Sequence, residues 1–259
     1  MNIGPRLLLS ILFFSWPLHA LDLFEDFDSP GEPDSSDGIA WRYTDQMLPV
    51  EDWEEIIPGD GFAYLRLDAD RSNDRDQDNQ KWPFQMISLS PVGPGHRMEM
   101  KAKNTVISGV GSFIFTYQEE AGIFDEIDIE IVGDDAATLP EGHLTDETGW
   151  TDARFNTWAN SDVKTGKPHV THKKPIVDKS GKKISHQDGQ FHVYTIDWTE
   201  DRVDFLIDGV HQQTITSLVP DSPARLLVGV RHMSWTGSLD WSGTQTMIVD
   251  WIRVEPLQP

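Results

Sequence analysis

Apolar and polar residues alternate in short runs along most of the chain, separated by clusters of Gly, Pro, Asp and Asn, and no long stretch carries a helical period. The clearest runs are Phe62 to Leu67, Arg97 to Lys103, Gly111 to Tyr117, Glu126 to Val132, Ala153 to Trp158, Phe191 to Trp198, Arg202 to Ile207, Ala224 to Val230 and Met247 to Val254. Each has the length of a strand. The pattern predicts an all-β sandwich of two antiparallel sheets. Asp208-Gly209 lies between Val203-Asp204-Phe205-Leu206-Ile207 and the run His211 to Ile215, and this residue pair accepts the positive φ angles of a tight hairpin. Arg66 to Asn79 and Thr165 to Gly189, both polar, read as loops, and no internal repeat is present.

The first twenty residues break this pattern. A lone positive charge at Arg6, an apolar run from Leu7 to Leu18 and the small ending Leu18-His19-Ala20 predict a secretory signal peptide, too short to span a bilayer comfortably. The expected mature protein is a single domain over 21–259, exported to the periplasm or medium, with no membrane association after the leader is removed. A monomer is expected. The chain has no cysteine, so no disulfide can staple it and stability must come from the core. Its formal charge of −22 makes nucleic acid a poor partner and slows the approach of a highly sulfated polysaccharide.

One run carries candidate chemistry. In Asp125-Glu126-Ile127-Asp128-Ile129-Glu130-Ile131-Val132-Gly133 every second residue is acidic and Ile fills the alternate positions. On a strand this places Glu126, Asp128 and Glu130 on one face and the three Ile on the other, so the Ile face belongs against a core and the acidic face in solvent or a cleft. Three like charges side by side cost stability. An ordinary solvated face would set cations opposite them, yet Gly111 to Tyr117 offers none and Ala153 to Trp158 only Arg154. Calcium ligation is a second alternative, although a strand spreads carboxylates more widely than a metal-binding loop does. Glycosidic bond cleavage with retention needs a nucleophilic carboxylate and a protonated carboxyl about 5 Å apart. Residues i and i+4 on a strand are ~13 Å apart at Cα, a gap that two long Glu side chains can close across a curved sheet. Asp128 between them helps keep one carboxyl protonated. Strand geometry alone leaves open which Glu attacks.

With these residues in place, the chain resembles the family 16 glycoside hydrolases, marked by an E-x-D-x-E strand. The likeness runs through Met98 to Thr105, Gly111 to Tyr117, Asp125 to Gly133, Phe155-Asn156, Phe191 to Tyr194, Asp197-Trp198, Asp208-Gly209 and Asp250 to Val254. The resemblance implies a β-jelly-roll sandwich with a concave substrate cleft and a retaining endo-glycanase. It implies Glu126 as nucleophile, Asp128 as electrostatic assistant and Glu130 as acid/base. It also implies sugar contacts at Tyr117, Phe124, Arg154, Asn156 and Trp158, and at Arg231 or Trp235 in the segment where the family carries a Trp. Mixed-linkage β-1,3-1,4-glucan is the leading polysaccharide substrate. β-1,3-glucan, galactan and transglycosylation to xyloglucan-type acceptors are the alternatives, with a non-catalytic sugar-binding jelly roll as the rival from another class. Phe124 stands where lichenases carry Trp, and Gln85 to Ser88 lacks the expected Arg.

No cofactor is needed for catalysis. The resemblance implies a structural calcium through Asp26, Gly61 and Asp250. The Asp74 to Asp78 run lacks the Gly and Glu of a calcium-binding loop, whose places are held by Asn79 and Gln85. His169, His172 and His186 read as a solvated surface rather than a zinc site.

Overall fold

The computed structural model describes residues 22–31, 39–42, 53–68, 85–133, 149–232, 236–237 and 241–258. The expected leader, the Asp74 to Asp78 run, Trp235 and most of the Asp134 to Asp152 segment lie outside them. Among the described residues no helix is long and apolar enough to cross a membrane.

Two seven-stranded antiparallel sheets face each other. The back sheet contains β1 (Leu23–Glu25), β3 (Ala63–Asp68), β5 (His96–Lys103), β10 (His192–Trp198), β11 (Val203–Ile207), β12 (Val210–Ile215) and β14 (Thr244–Pro256). Its order is β1-β14-β5-β10-β11-β12, and β3 pairs with the same long β14. The front sheet has the order β2 (Ile39–Arg42), β4 (Gln85–Val92), β13 (Ala224–His232), β6 (Val110–Glu120), β7 (Ile123–Val132), β8 (Asp152–Asp162) and β9 (Lys167–Pro175). The described helix is the single turn α1 (Trp53–Ile56).

All nine expected strands form, and period-2 burial explains why. In β7 the side chains of Ile127, Ile129 and Ile131 are buried in one apolar cluster with Met98, Met100 and Ile196 of the back sheet. Phe155 on β8 meets Phe205 on β11 with ring centroids 5.3 Å apart, tying one sheet to the other. Burial of such a side chain contributes roughly 1.5–3 kcal/mol. The Asp208-Gly209 turn has φ of 50° and 69°, the left-handed pair expected of it. Gly133 ends β7 because a Cβ there would collide with the Ile107 backbone.

The expected loop from Thr165 to Gly189 is in part a strand: β9 pairs with β8 from Asp152↔Pro175 to Asp162↔Lys167. Apart from Pro168 and Pro175, Val170, which packs against the core, is its one apolar residue, too little for the alternation a half-buried strand would show. Strand β4 lacks alternation for the opposite reason, since its first four residues are all buried.

His186 is not on the surface either. It is 2% exposed, its Nδ1 lies 2.6 Å from the Tyr194 hydroxyl, and its ring stacks on His192 with centroids 3.7 Å apart. His192 is held through Nδ1 by Asp208 at 2.7 Å and through Nε2 by Asp188 at 3.2 Å. Parallel stacked rings point their lone pairs side by side rather than at one point, so this cluster suits a neutral histidine beneath an ion-paired one. Burial, and next the His192 charge, depress the His186 pKa to about 3. Burial also works against the His192 charge, but Asp208 and Asp188 outweigh it and leave that pKa raised.

The two histidines therefore act on stability with opposite sign. The unfolded chain protonates position 186 near 6.5 and the folded one near 3, so this contribution is full above 6.5 and is lost as pH falls through that window. The His192 contribution is full below 6.5 and is lost as pH rises through its raised folded value. In denaturant titrations between about pH 7.5 and about pH 4.5, the His186→Phe variant should lose less stability than the parent. Equal losses would refute the assignment.

Candidate active site

The front sheet brings the acidic face of β7 between two strands of matched register. Glu126 lies between Tyr117 on β6 and Trp158 on β8, Asp128 between Phe115 and Asn156, and Glu130 between Phe113 and Arg154. Because β7 buries its Ile face, all three carboxyls must point out of the sandwich onto this floor.

Asn156 bridges two of them, donating from Nδ2 to Glu130 Oε2 at 2.8 Å and to Asp128 Oδ2 at 3.3 Å. Asp128 is 2% exposed, and burial, followed by the charges of Glu126 and Glu130, holds its carboxyl well above the ordinary carboxylate range. A hydrogen bond between Asp128 and Glu126 raises the pKa of the first and lowers that of the second, the directions that favour a proton on Asp128. Burial raises Glu126 as well, with a smaller push from Glu130. The Asp128 hydrogen bond and the charge of Arg231 pull it back toward ionisation. Arg231, near the end of β13, lies over the Phe113 and Phe115 rings at 5.0 and 5.9 Å.

Aromatic rings form one side of the floor. Tyr117 stacks on Phe124 at 5.7 Å, Phe124 lies 6.3 Å from Trp158, and Trp158 stacks on His169 at 5.5 Å. This shelf crosses four strands level with Glu126. Beyond β7 an open groove of about 610 Å³ is lined by Glu130, Arg154, Asn156, Trp158, Thr171 and Lys173, with His169 at its edge. On the other side, Phe113 and Phe115 form an apolar patch with Ile87 and Leu227, apart from the main core.

The structure thus gathers Tyr117, Phe124, Glu126, Asp128, Glu130, Arg154, Asn156, Trp158 and Arg231 on one face. The sequence reading missed Phe113 and Phe115, although period 2 from Tyr117 points to both. His169, Thr171 and Lys173 escape it because the sequence of β9 lacks the alternation that marks a strand.

A family model described as Glycosyl hydrolases family 16 matches residues 95–253, more than half of the chain. The chain belongs to glycosyl hydrolase family 16. It is a glycoside hydrolase, as that membership and its curated relatives show. A β-glucanase of Brevibacillus brevis is 24% identical over 244 residues, spanning 91% of this chain and 82% of that protein. A lichenase derived from a mouse hindgut metagenome has the same fold, with a TM-score of 0.62 and 18% identity over 91% of this chain and 99% of that one. The Crh5 transglycosylase superposes with a TM-score of 0.56 and 23% identity, covering 92% and 85%.

The positions that family 16 resemblance implies for calcium converge at one place. β1 and β3 pair along the same edge of β14, which brings Asp26, Gly61 and Asp250 toward a common junction. Asp250 Oδ2, however, lies 2.5 Å from the Lys101 ammonium. Calcium takes about six to eight oxygens, and an ammonium already paired with Asp250 competes for the oxygen it would use, so these three positions as they stand fit the ion poorly. Chelation with EDTA should therefore leave the melting temperature within about 1 °C, whereas a bound ion would make it fall with chelator. A drop of several degrees would restore the metal.

Proposed function

We propose that this family 16 protein is a retaining endo-β-glucanase, with mixed-linkage β-1,3-1,4-glucan as its leading substrate. The observation that carries the reading is the geometry of β7: Glu126, Asp128 and Glu130 share one outward face, with Asp128 buried between the two Glu and Asn156 donating to both Asp128 and Glu130. Glu126 is the nucleophile in this reading, acting in its ionised form: burial raises its pKa to about 7, and the Asp128 hydrogen bond and the Arg231 charge keep it from rising further. Glu130, hydrogen-bonded by Asn156, is the acid that protonates the leaving glycosidic oxygen. Glu126 then carries a glycosyl ester, and Glu130 removes a proton from the incoming water. A sugar hydroxyl in place of that water would give transglycosylation by the same steps. The aromatic shelf supplies faces on which pyranose rings stack.

β-Glucanase relatives support glucan as the substrate class. Export as a monomeric domain over 21–259 belongs to the same reading, with export supported by the leader-like residues 1–20.

The purified protein should release oligosaccharides from lichenan, and Glu126→Gln should release none. Glu130→Gln should lose about 10²–10⁴-fold in kcat. Activity surviving in Glu126→Gln would overturn the role of that residue, and a wild type inert on lichenan but active on laminarin would move the linkage assignment.

Asp128→Ala removes the hydrogen bond that lowers the Glu126 pKa, so Glu126 ionises at higher pH. The acidic limb of the kcat/KM profile should move to higher pH in this variant. A limb that stays put or moves down would show that Asp128 does not donate to Glu126.

A further inference from the structure

The outward face of the back sheet carries a line of side chains that the reaction does not use. Consecutive register pairs, Phe24↔Arg253, Arg253↔Glu99, Glu99↔Thr195 and Thr195↔Leu206, set five residues in a row across β1, β14, β5, β10 and β11. Their chain neighbours Leu23, Val254, Met98, Ile196 and Phe205 are buried in the core, so the row faces away from the other sheet and from the cleft. Four spacings between strands make it ~19 Å long.

Single exposed apolar residues are ordinary on a protein surface, but one end of this row is organised. Phe24 is 55% exposed on the edge strand β1, where a bare aromatic invites pairing with another chain. Its ring lies 6.3 Å from that of Trp251, and the Arg253 guanidinium stands over the two rings at 5.3 and 5.2 Å. Glu99 holds the same guanidinium at 3.8 Å. Rings fixed in this way lose little freedom when a ligand covers them. At the other end Val193, Thr195 and Leu206 line an open groove of about 360 Å³ together with Arg97, Glu99 and Asp208.

Charge decides what suits this surface. In a chain of net charge −22, the charged groups along the row are matched, Arg253 with Glu99, and Arg97 with Asp197 through two bonds of 2.7 Å. The Thr195 hydroxyl also donates to Glu99, at 3.0 Å. Such pairs draw neither anion nor cation strongly, yet their carboxylates keep lone pairs that can accept from hydroxyl groups. An apolar protein partner would strip water from the pairs at a cost, whereas sugar hydroxyls replace that water.

We propose that this row is a second glycan-binding surface, on the side of the sandwich opposite the cleft, which takes a neutral β-glucan chain with one sugar on Phe24 and Trp251 and another in the groove over Thr195 and Leu206. The choice of glucan rests on the glucanase reading. The surface does no chemistry. A polymer held there stays close to the cleft, which raises its effective concentration at the cleaving pair.

Native gels cast with lichenan, with laminarin or with no glycan read the surface through the Glu126→Gln protein, which binds without turnover. Trp251→Ala on that background should weaken retention by at least one of the two glucans roughly three- to tenfold. Phe24→Ser, at an exposed site, should do the same. With Glu126 intact, Trp251→Ala should leave kcat/KM on a short lichenan oligosaccharide unchanged, because cleavage reports on the cleft alone. A loss there marks a folding defect, and Phe24→Ser then decides. Retention that Phe24→Ser leaves at the parent level, or a parent that neither glucan retains, overturns the surface. So does a dimer in size exclusion that Phe24→Ser separates, since a second copy would then cover the row. Hydrolysis of lichenan by the wild type is scored separately, so an inert wild type refutes the cleaving pair while retention still judges the surface.

Discussion

Three carboxyl groups on one face of a strand are tolerable only if they carry fewer than three charges. At roughly 4 Å and an effective dielectric near 20, two unit charges repel by about 4 kcal/mol, a large part of the stability of a small domain. β7 resolves the conflict by grading burial: Asp128 in the middle is nearly sealed, and its neighbours are half-buried. Burial and the two flanking charges favour a proton on the central group, and its hydrogen bond to Glu126 then favours the charged form of that neighbour. Asn156 then donates to both Asp128 and Glu130, and Arg231 acts on Glu126 from the far side of β6. All of this depends on the Ile face, since only a strand clamped to the core by Ile127, Ile129 and Ile131 keeps its acidic face from rotating out of register.

Much of the architecture was legible because half-burial writes itself into sequence as alternation. β7, β10, β11 and β14 each carry one apolar face, and the Asp208-Gly209 hairpin carries its own turn chemistry. What stayed hidden lacked such contrast. β9 has Val170 alone as an aliphatic contact with the core, so little separates it from a loop in sequence, and with it go His169, Thr171 and Lys173. β4 opens with residues buried on both faces, because the outer one meets the Phe113 and Phe115 patch instead of water. Arg231 reaches Glu126 from two strands away, a proximity fixed by sheet order rather than by any local spacing. His186 looked like a member of a solvated basic segment, and only its packing against Tyr194 and His192 sets it apart.

The site is also asymmetric across the strands. The shelf level with Glu126 is aromatic and suits flat, neutral sugar faces, and Arg154 flanks Glu130 at the other end. The two carboxyls that must divide the roles of nucleophile and acid therefore meet different surroundings. Environment, more than residue type, separates such roles.

The path of β14 has a kinetic consequence. One edge of this final strand pairs with β3 and then β1, and the other with β5, so it is the seam on which the back sheet is assembled. Strands made first thus wait for the strand made last, with a separation of more than two hundred residues between Leu23 and its partner Val254. Loop closure over that span is slow, and the waiting strands present open edges to other chains. The back sheet can close only once β14 has been made, and the interval before closure is when its open edges are most exposed to aggregation and proteolysis.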